Sequence, residues 1–235
     1  MDCHGTMSAL WRAFRDARAI LIDIPIGLVS ESGCRREADS LARKALAPRR
    51  HRSVFSPPCR QALSAETYEE ACRINQEVCG SGISIQTWRI LPRIREVDAF
   101  LRAIPRARGI VRESHPEICF WALAGFHPMA HPKKSREGRE ERLDVLQRHD
   151  PRSLEIFNDA LKRFPRKAVS PDDILDALVN ALAAARLTTA GATLPEDPPT
   201  DRHGLPMEMV FALPSTRQSW LGGKMKGPAP DEPSP

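Results

Sequence analysis

No stretch of the chain approaches the ~18 consecutive apolar residues that a membrane-spanning helix needs. The opening MDCHGTMSALWRAF lacks both the apolar core and the small-residue cleavage site of a signal peptide. The expectation is a soluble cytoplasmic protein with no membrane partner. Cysteines stand at 3, 34, 59, 72, 79 and 119, with gaps of 31, 25, 13, 7 and 40, so no C-x-x-C pair is present to begin a zinc site or a redox motif. They read as reduced structural thiols. No repeat recurs at a fixed period.

What is present suits one large α/β domain: 235 residues, 41% apolar by the AVILMFWYC count, with enough length to bury a sizeable core. The domain is expected to end near Trp220, and residues 221–235, rich in proline and glycine, read as a disordered tail. The net charge of +5 is modest but unevenly spread. Residues 35–60 hold eight basic and two acidic side chains, and residues 89–112 hold seven arginines against Glu96 and Asp98. Both segments are compatible with phosphate, and each also reads as an ordinary solvated helix face.

Residues 9–17 suggest a short helix, and AILIDIPIGL (19–28) a buried strand ending near Pro25. Residues 34–47 have helix-forming composition. Residues 64–78 read as a helix with Ser64 as N-cap, closing before Gly80. After Pro92, Ile94, Val97, Leu101 and Ile104 fall on one helical face, as do Leu154, Phe157, Leu161 and Phe164 further on. GIVRESHPE (109–117) is a second strand candidate, and MEMVFAL (207–213) a closing one. The run SPDDILDALVNALAAARLTTAG (170–191) reads as a long helix with Ser170 as N-cap, Pro171 at the first position and Gly191 at the stop.

Several carboxylates stand where chemistry could sit. Asp23 lies at the carboxyl end of an apolar run, where open α/β sheets place ligands, or else marks the strand exit in an Asx-turn. Glu113, His115 and Glu117 crowd the end of the second strand, although Glu117 also suits the first turn of a following helix. Asp172 and Asp173 fit first-turn acids, but Asp176 lies beyond that turn among Leu175, Ala177 and Leu178 and can share a face with either. Such acids could converge on a hard divalent cation that activates water for phosphodiester attack. Arg43, Arg52, Arg60, Lys133 and Lys134 are candidate phosphate contacts. His115, His127 and His131 follow no compact zinc spacing, and Glu140, Glu141 and Arg142 read as a solvated helix face.

In order along the chain come IDIPIGL, the R-x-x-D-x-x-x-R set of Arg36, Asp39 and Arg43, RSVFSPPCR (52–60), and S-x-Q-x-W at Ser84, Gln86 and Trp88. They continue with PRIREVD, ESHPE, the stretch from Lys133 to Arg139, DDILDAL, and HGLPMEMVF. This series resembles the DUF429 proteins, a family of predicted nucleases in the RNase H-like superfamily, from about Ile20 to Leu213. The last helix also resembles that of RuvC-type Holliday junction resolvases, whose D-x-x-D-A-L pattern matches Asp173 and Asp176.

The resemblance implies an RNase H-like mixed sheet flanked by helices, with a helix-rich insertion. It implies Mg²⁺ or Mn²⁺ held by Asp23, Asp173 and Asp176, with Glu113 and Glu117 as further catalytic acids. Gln86 joins the basic side chains as a substrate contact, and nucleic acid is the implied partner. The glycine-rich phosphate loops of the sugar-kinase and actin-like branch are not present.

RNase H-like domains begin with three antiparallel strands, the first bearing an acid of the metal site, whereas here only Met1 precedes DCHG. The expectation is therefore a domain lacking its first strands, with the edge of residues 20–24 open to aggregation or homodimer formation. The implied activity is metal-dependent nucleic-acid hydrolysis, impaired by loss of that first acid. The alternative is a non-catalytic nucleic-acid-binding or assembly protein on the same scaffold.

Overall fold

The computed structural model describes residues 2–32 and 35–214. Serine and threonine caps set where most helices begin. Thr6 accepts from the Ala9 N–H ahead of α1 (Met7–Phe14), and α2 (Glu37–Ala45) follows. Thr67 accepts from Glu70 ahead of α3 (Tyr68–Cys79), and Ser84 from Thr87 ahead of α4 (Ile85–Ala103). After α5 (Pro116–Leu123), Ser135 accepts from Gly138 ahead of α6 (Arg136–His149), and α7 (Ser153–Arg163) comes next. Each such bond satisfies a first-turn N–H that has no partner inside its helix.

The last helix, α8 (Pro171–Ala190), has a complete capping box: Ser170 accepts from the Asp173 N–H, and the Asp173 carboxylate accepts from the Ser170 N–H. Pro171 and Gly191 hold the expected first and closing positions. Ser170→Ala is expected to cost about 1 kcal/mol, read as a lower urea midpoint with an unchanged slope.

β1 (Ile20–Ile22) and β2 (Val111–Glu113) pair in parallel, with Ile20 opposite Val111 and Ile22 opposite Glu113. β3 (Gly191–Leu194) and β4 (Met209–Ala212) form an antiparallel pair. The chain is thus mixed α/β and helix-rich, but its strands make two separate pairs among the described residues rather than the single sheet expected. Alternation along β1 sorts its side chains between two cores. Ile20 packs with Trp11 of α1 and Phe100 of α4, whereas Leu21 packs into the core around α5, α8 and β4. α8 touches β1, β3 and β4, so the parallel pair lies between α8 on one side and α1 with α4 on the other. Among the described residues no strand pairs with the other edge of β1. No described helix is long and apolar enough to cross a membrane.

Several boundaries differ from expectation for identifiable reasons. β1 stops at Ile22 because the next backbone donors turn to side chains: the Ile26 N–H donates to Glu113 at 2.6 Å and the Leu28 N–H to Asp201 at 3.1 Å. Gly27, between them, has φ +72°, and a Cβ there would lie 2.7 Å from the Pro206 carbonyl oxygen. Ser64 is no cap; it ends a 3₁₀ turn, and Thr67 starts α3. α4 begins before Pro92 and runs through it, burying Ile94, Val97 and Leu101 as expected, with Ile104 just past its end. On α7 the buried residues are Ser153, Phe157 and Ala160, while Leu154 is exposed. The expected boundary at Trp220 and the tail lie outside the described residues.

Candidate active site

The parallel pair sends both strand ends the same way, and this assembles the site. Asp23 follows the last residue of β1, and β2 runs through Glu113 and Ser114 to His115, the N-cap residue of α5. Pro116 opens α5 and Glu117 sits in its first turn. α8 presents Asp172 and Asp176, four residues apart and so on one face. Lys133 reaches them from the loop before α6, with Nζ 2.8 Å from Asp176 Oδ2 and 3.8 Å from Asp172 Oδ2.

That loop is fixed on α6 by three devices. The Glu141 carboxylate accepts from the backbone N–H groups of Ala130 and His131. Arg142 donates to the carbonyls of His131 and Gly138. Gly138 leaves room for the Pro132 carbonyl, whose oxygen lies 1.9 Å from where a Cβ would stand. The solvated face expected over Glu140, Glu141 and Arg142 is therefore corrected: Glu140 is exposed, but Arg142 is fully buried and its Nη2 lies 2.5 Å from Glu117 Oε1. A guanidinium reads as solvated from sequence alone, and only its carboxylate partner 25 residues away in the chain makes burial tolerable.

The acids repel one another. Asp176 is pushed up to about 6 by burial, with Asp23 and Glu117 adding to the rise and Lys133 opposing it. Asp23 is also raised by the protein crowded around it, against the pull of His115 and Lys133. Its side chain still reaches solvent, which tempers that rise. Burial works against the charge on Lys133, but Asp176, Asp172 and Asp23 together raise its pKa. Glu117 Oε2 is sealed from solvent and has no hydrogen-bond partner, as does His115 Nδ1, while His115 Nε2 faces the Ser53 carbonyl at 3.3 Å. Cys119, nearby and buried, is pushed up to about 12 and stays a thiol.

Asp23 and Glu117 lie close enough to Asp176 for their charges to raise it. Glu113 turns away into a buried pairing with Arg36 Nη2 at 2.5 Å. Asp173 is engaged in the cap of α8, so Asp172 is the acid that shares Lys133 with Asp176. Arg60 is not free to meet phosphate: it is buried and bonded to both Asp98 and Asp201. Arg52, Gln86 and Lys134 are exposed, and Arg43 lies half-buried beside residues 54–56. His115 was named as a neighbour of the two glutamates at the strand end, and Arg142 only as part of a solvated face. The proline after His115, marking a strand-to-helix junction, was the signal available for the first; nothing local marked the second.

Hard carboxylate oxygens suit Mg²⁺ or Mn²⁺, and the unpartnered Glu117 Oε2 beside two mutually repelling carboxylates is a donor set in want of a cation. In the folded arrangement Lys133 meets part of that want. Among the described residues no group of three or more His, Cys, Asp or Glu side chains is drawn together tightly enough to hold a metal.

Residues 1–200 match the model of a family described as a protein of unknown function, DUF429. No curated protein and no solved structure matches the chain. With most of its length covered by that one model, the chain belongs to the DUF429 family.

Proposed function

We propose that the cluster of Asp23, Glu117, Asp172 and Asp176 hydrolyses phosphodiester bonds in nucleic acid, on a scaffold of the RNase H-like kind. The observation that carries this reading is the convergence of carboxylates from a strand end, a helix first turn and a central helix, with Glu117 Oε2 left buried and unpartnered. Convergent acids with perturbed titration at strand carboxyl ends are a common mark of a reactive site.

Mg²⁺ or Mn²⁺, which when bound would polarise the phosphoryl oxygen and lower the pKa of water, would be held by Asp23, Glu117 and Asp176 once these close in from the spacing seen here. Asp23, the most exposed of the acids, orients the attacking water. Lys133, and Lys134 at the surface beside it, compensate phosphate charge, so substrate exchanges one ionic partner of Lys133 for another.

With Mg²⁺ or Mn²⁺, the chain is expected to cleave at least one of single-stranded, duplex, hybrid or branched substrates. Asp176→Asn and Asp23→Asn should each lower the rate by about 10²-fold or more while leaving the circular dichroism melt in place. Cleavage that both variants retain would sink the reading. Salt-sensitive binding without cleavage, surviving Asp23→Asn, would mark the binding or assembly protein instead.

A further inference from the structure

A concavity of about 400 Å³ lies between α2, residues 54–57, the end of α3 and the first turn of α4. Its volume falls within the range of small-ligand clefts. Three arginines and one carboxylate line it: Arg35, Arg36, Arg43 and Asp39. Arg36 is committed to Glu113 and Asp39, but its Nε, on a side chain 1% exposed, has no acceptor. Arg43 donates to the Val54 carbonyl and the Ser56 hydroxyl, which fixes its direction without neutralising it. Neither Arg35 nor Arg43 forms an ion pair among the described residues, so the lining keeps an excess of positive charge beside the N-terminus of α4.

Two further side chains do not belong to a plain phosphate site. Phe55 stands at the cleft with 43% of its surface exposed, an apolar ring where a soluble chain ordinarily places polar groups. Asp39 is 4% exposed; its Oδ1 accepts from Arg36, and its Oδ2 accepts from no described group. An unpartnered carboxylate oxygen of a largely buried residue, within an arginine-lined cleft, is placed to accept N–H donors from something that also brings an anion.

We infer that this cleft binds a phosphorylated nucleoside, with the phosphate on Arg43, Arg35 and the first turn of α4, the base against Phe55, and a base N–H on Asp39 Oδ2. Each part of the ligand answers one feature of the cleft: the uncompensated arginines, the exposed ring, and the open carboxylate oxygen. Inorganic phosphate would engage only the first, and an uncharged nucleoside only the other two. The inference does not need the hydrolysis reading to hold. It adds to it, because the wall at residues 54–57 continues to Ser53, whose carbonyl faces His115 at the acid cluster.

Titration calorimetry on the full chain in metal-free buffer tests this with GMP, AMP, guanosine, ribose 5-phosphate and inorganic phosphate, hydrolysis being absent without metal. At least one nucleoside monophosphate is expected to bind, with guanosine and ribose 5-phosphate each about tenfold weaker or more. Arg43→Gln should bring the nucleotide down to the level of the nucleoside, Phe55→Ala should bring it down to the level of ribose 5-phosphate, and Phe55→Trp should retain binding. Thermal melts confirm that each variant folds. The inference is overturned if no nucleotide binds, if inorganic phosphate binds as well as the nucleotides, or if Arg43→Gln and Phe55→Ala both bind normally. Loss of nucleotide binding in Asp176→Asn would place the ligand on the acid cluster and overturn it equally, whereas failure to cleave nucleic acid leaves this test untouched.

Discussion

Arg60→Met is expected to destabilise the fold by about 3–5 kcal/mol, a large part of the 5–15 kcal/mol that typical domains possess. Arg60 is buried in the turn before α3 and holds two acids from distant parts of the chain, Asp98 of α4 at 2.5 Å and Asp201 of the loop before β4. The guanidinium fork lets one side chain satisfy both, each through its own nitrogen.

Without Arg60 the two acids fare differently. Asp201 is pushed up by burial, yet N–H groups of Leu205, His203 and Leu28, with Arg60, hold it below the usual value, so it stays charged and largely bonded. Asp98 keeps only a 3.5 Å approach from Arg102, whose side chain is half exposed. The loss therefore falls mainly on Asp98. Arg60→Lys should recover little, since one ammonium cannot span both carboxylates in the fork's geometry. Arg73, whose pair with Glu77 is exposed on both sides, supplies the contrast: Arg73→Ala should cost less than about 1 kcal/mol. Urea melts of the three variants decide the matter, and an Arg60→Met loss as small as that of Arg73→Ala would show that the triad does not hold these segments.

Arg60 also shows where sequence reading stops. Its basic segment read as phosphate-compatible because local charge counting sees eight basic and two acidic side chains over residues 35–60. Beyond Asp39, three residues from Arg36, the acids that claim Arg36 and Arg60 are Glu113, Asp98 and Asp201, all distant in sequence, and burial of such pairs is invisible to any window. Helix ends were legible for the opposite reason: Ser170 and Gly80 act through bonds within four residues, and Pro171 through the N–H it lacks. Asp23 and Asp176 were legible because each is an acid inside an apolar run, which demands a partner wherever it occurs. Asp172 and Asp173 could not be separated from spacing, because the choice was made by the cap: Asp173 turned back to Ser170, leaving Asp172 on the face of Asp176.

Arg36→Met is expected to be more destabilising at pH 8 than at pH 5, by about 1 kcal/mol. Glu113 is 3% exposed and faces Arg36 and the Ile26 N–H, with Asp39 close enough to repel it. Burial pushes Glu113 up to about 7, and Arg36 opposes that rise, with the Ile26 N–H contributing less. Removing Arg36 sends the folded-state value higher still above the ordinary 4.5, so the folded chain binds a proton that the unfolded chain releases. Stability is then fully present below about 4.5 and is lost as pH rises through that value and the folded one.

Asp39 moves in the same direction: burial raises it and Arg36 lowers it, although Arg43 and His115 still face it after the substitution. Arg36→Met combined with Glu113→Leu removes the charge along with its partner and should lose most of the pH dependence, since an apolar pair of similar volume tolerates burial. Equal destabilisation of Arg36→Met at the two pH values would mean that Glu113 does not ionise in the fold. The motif Arg36, Asp39 and Arg43 would then stand as packing with a charged rim, and the stem that joins β2 to α2 would owe its stability to something other than this ion pair.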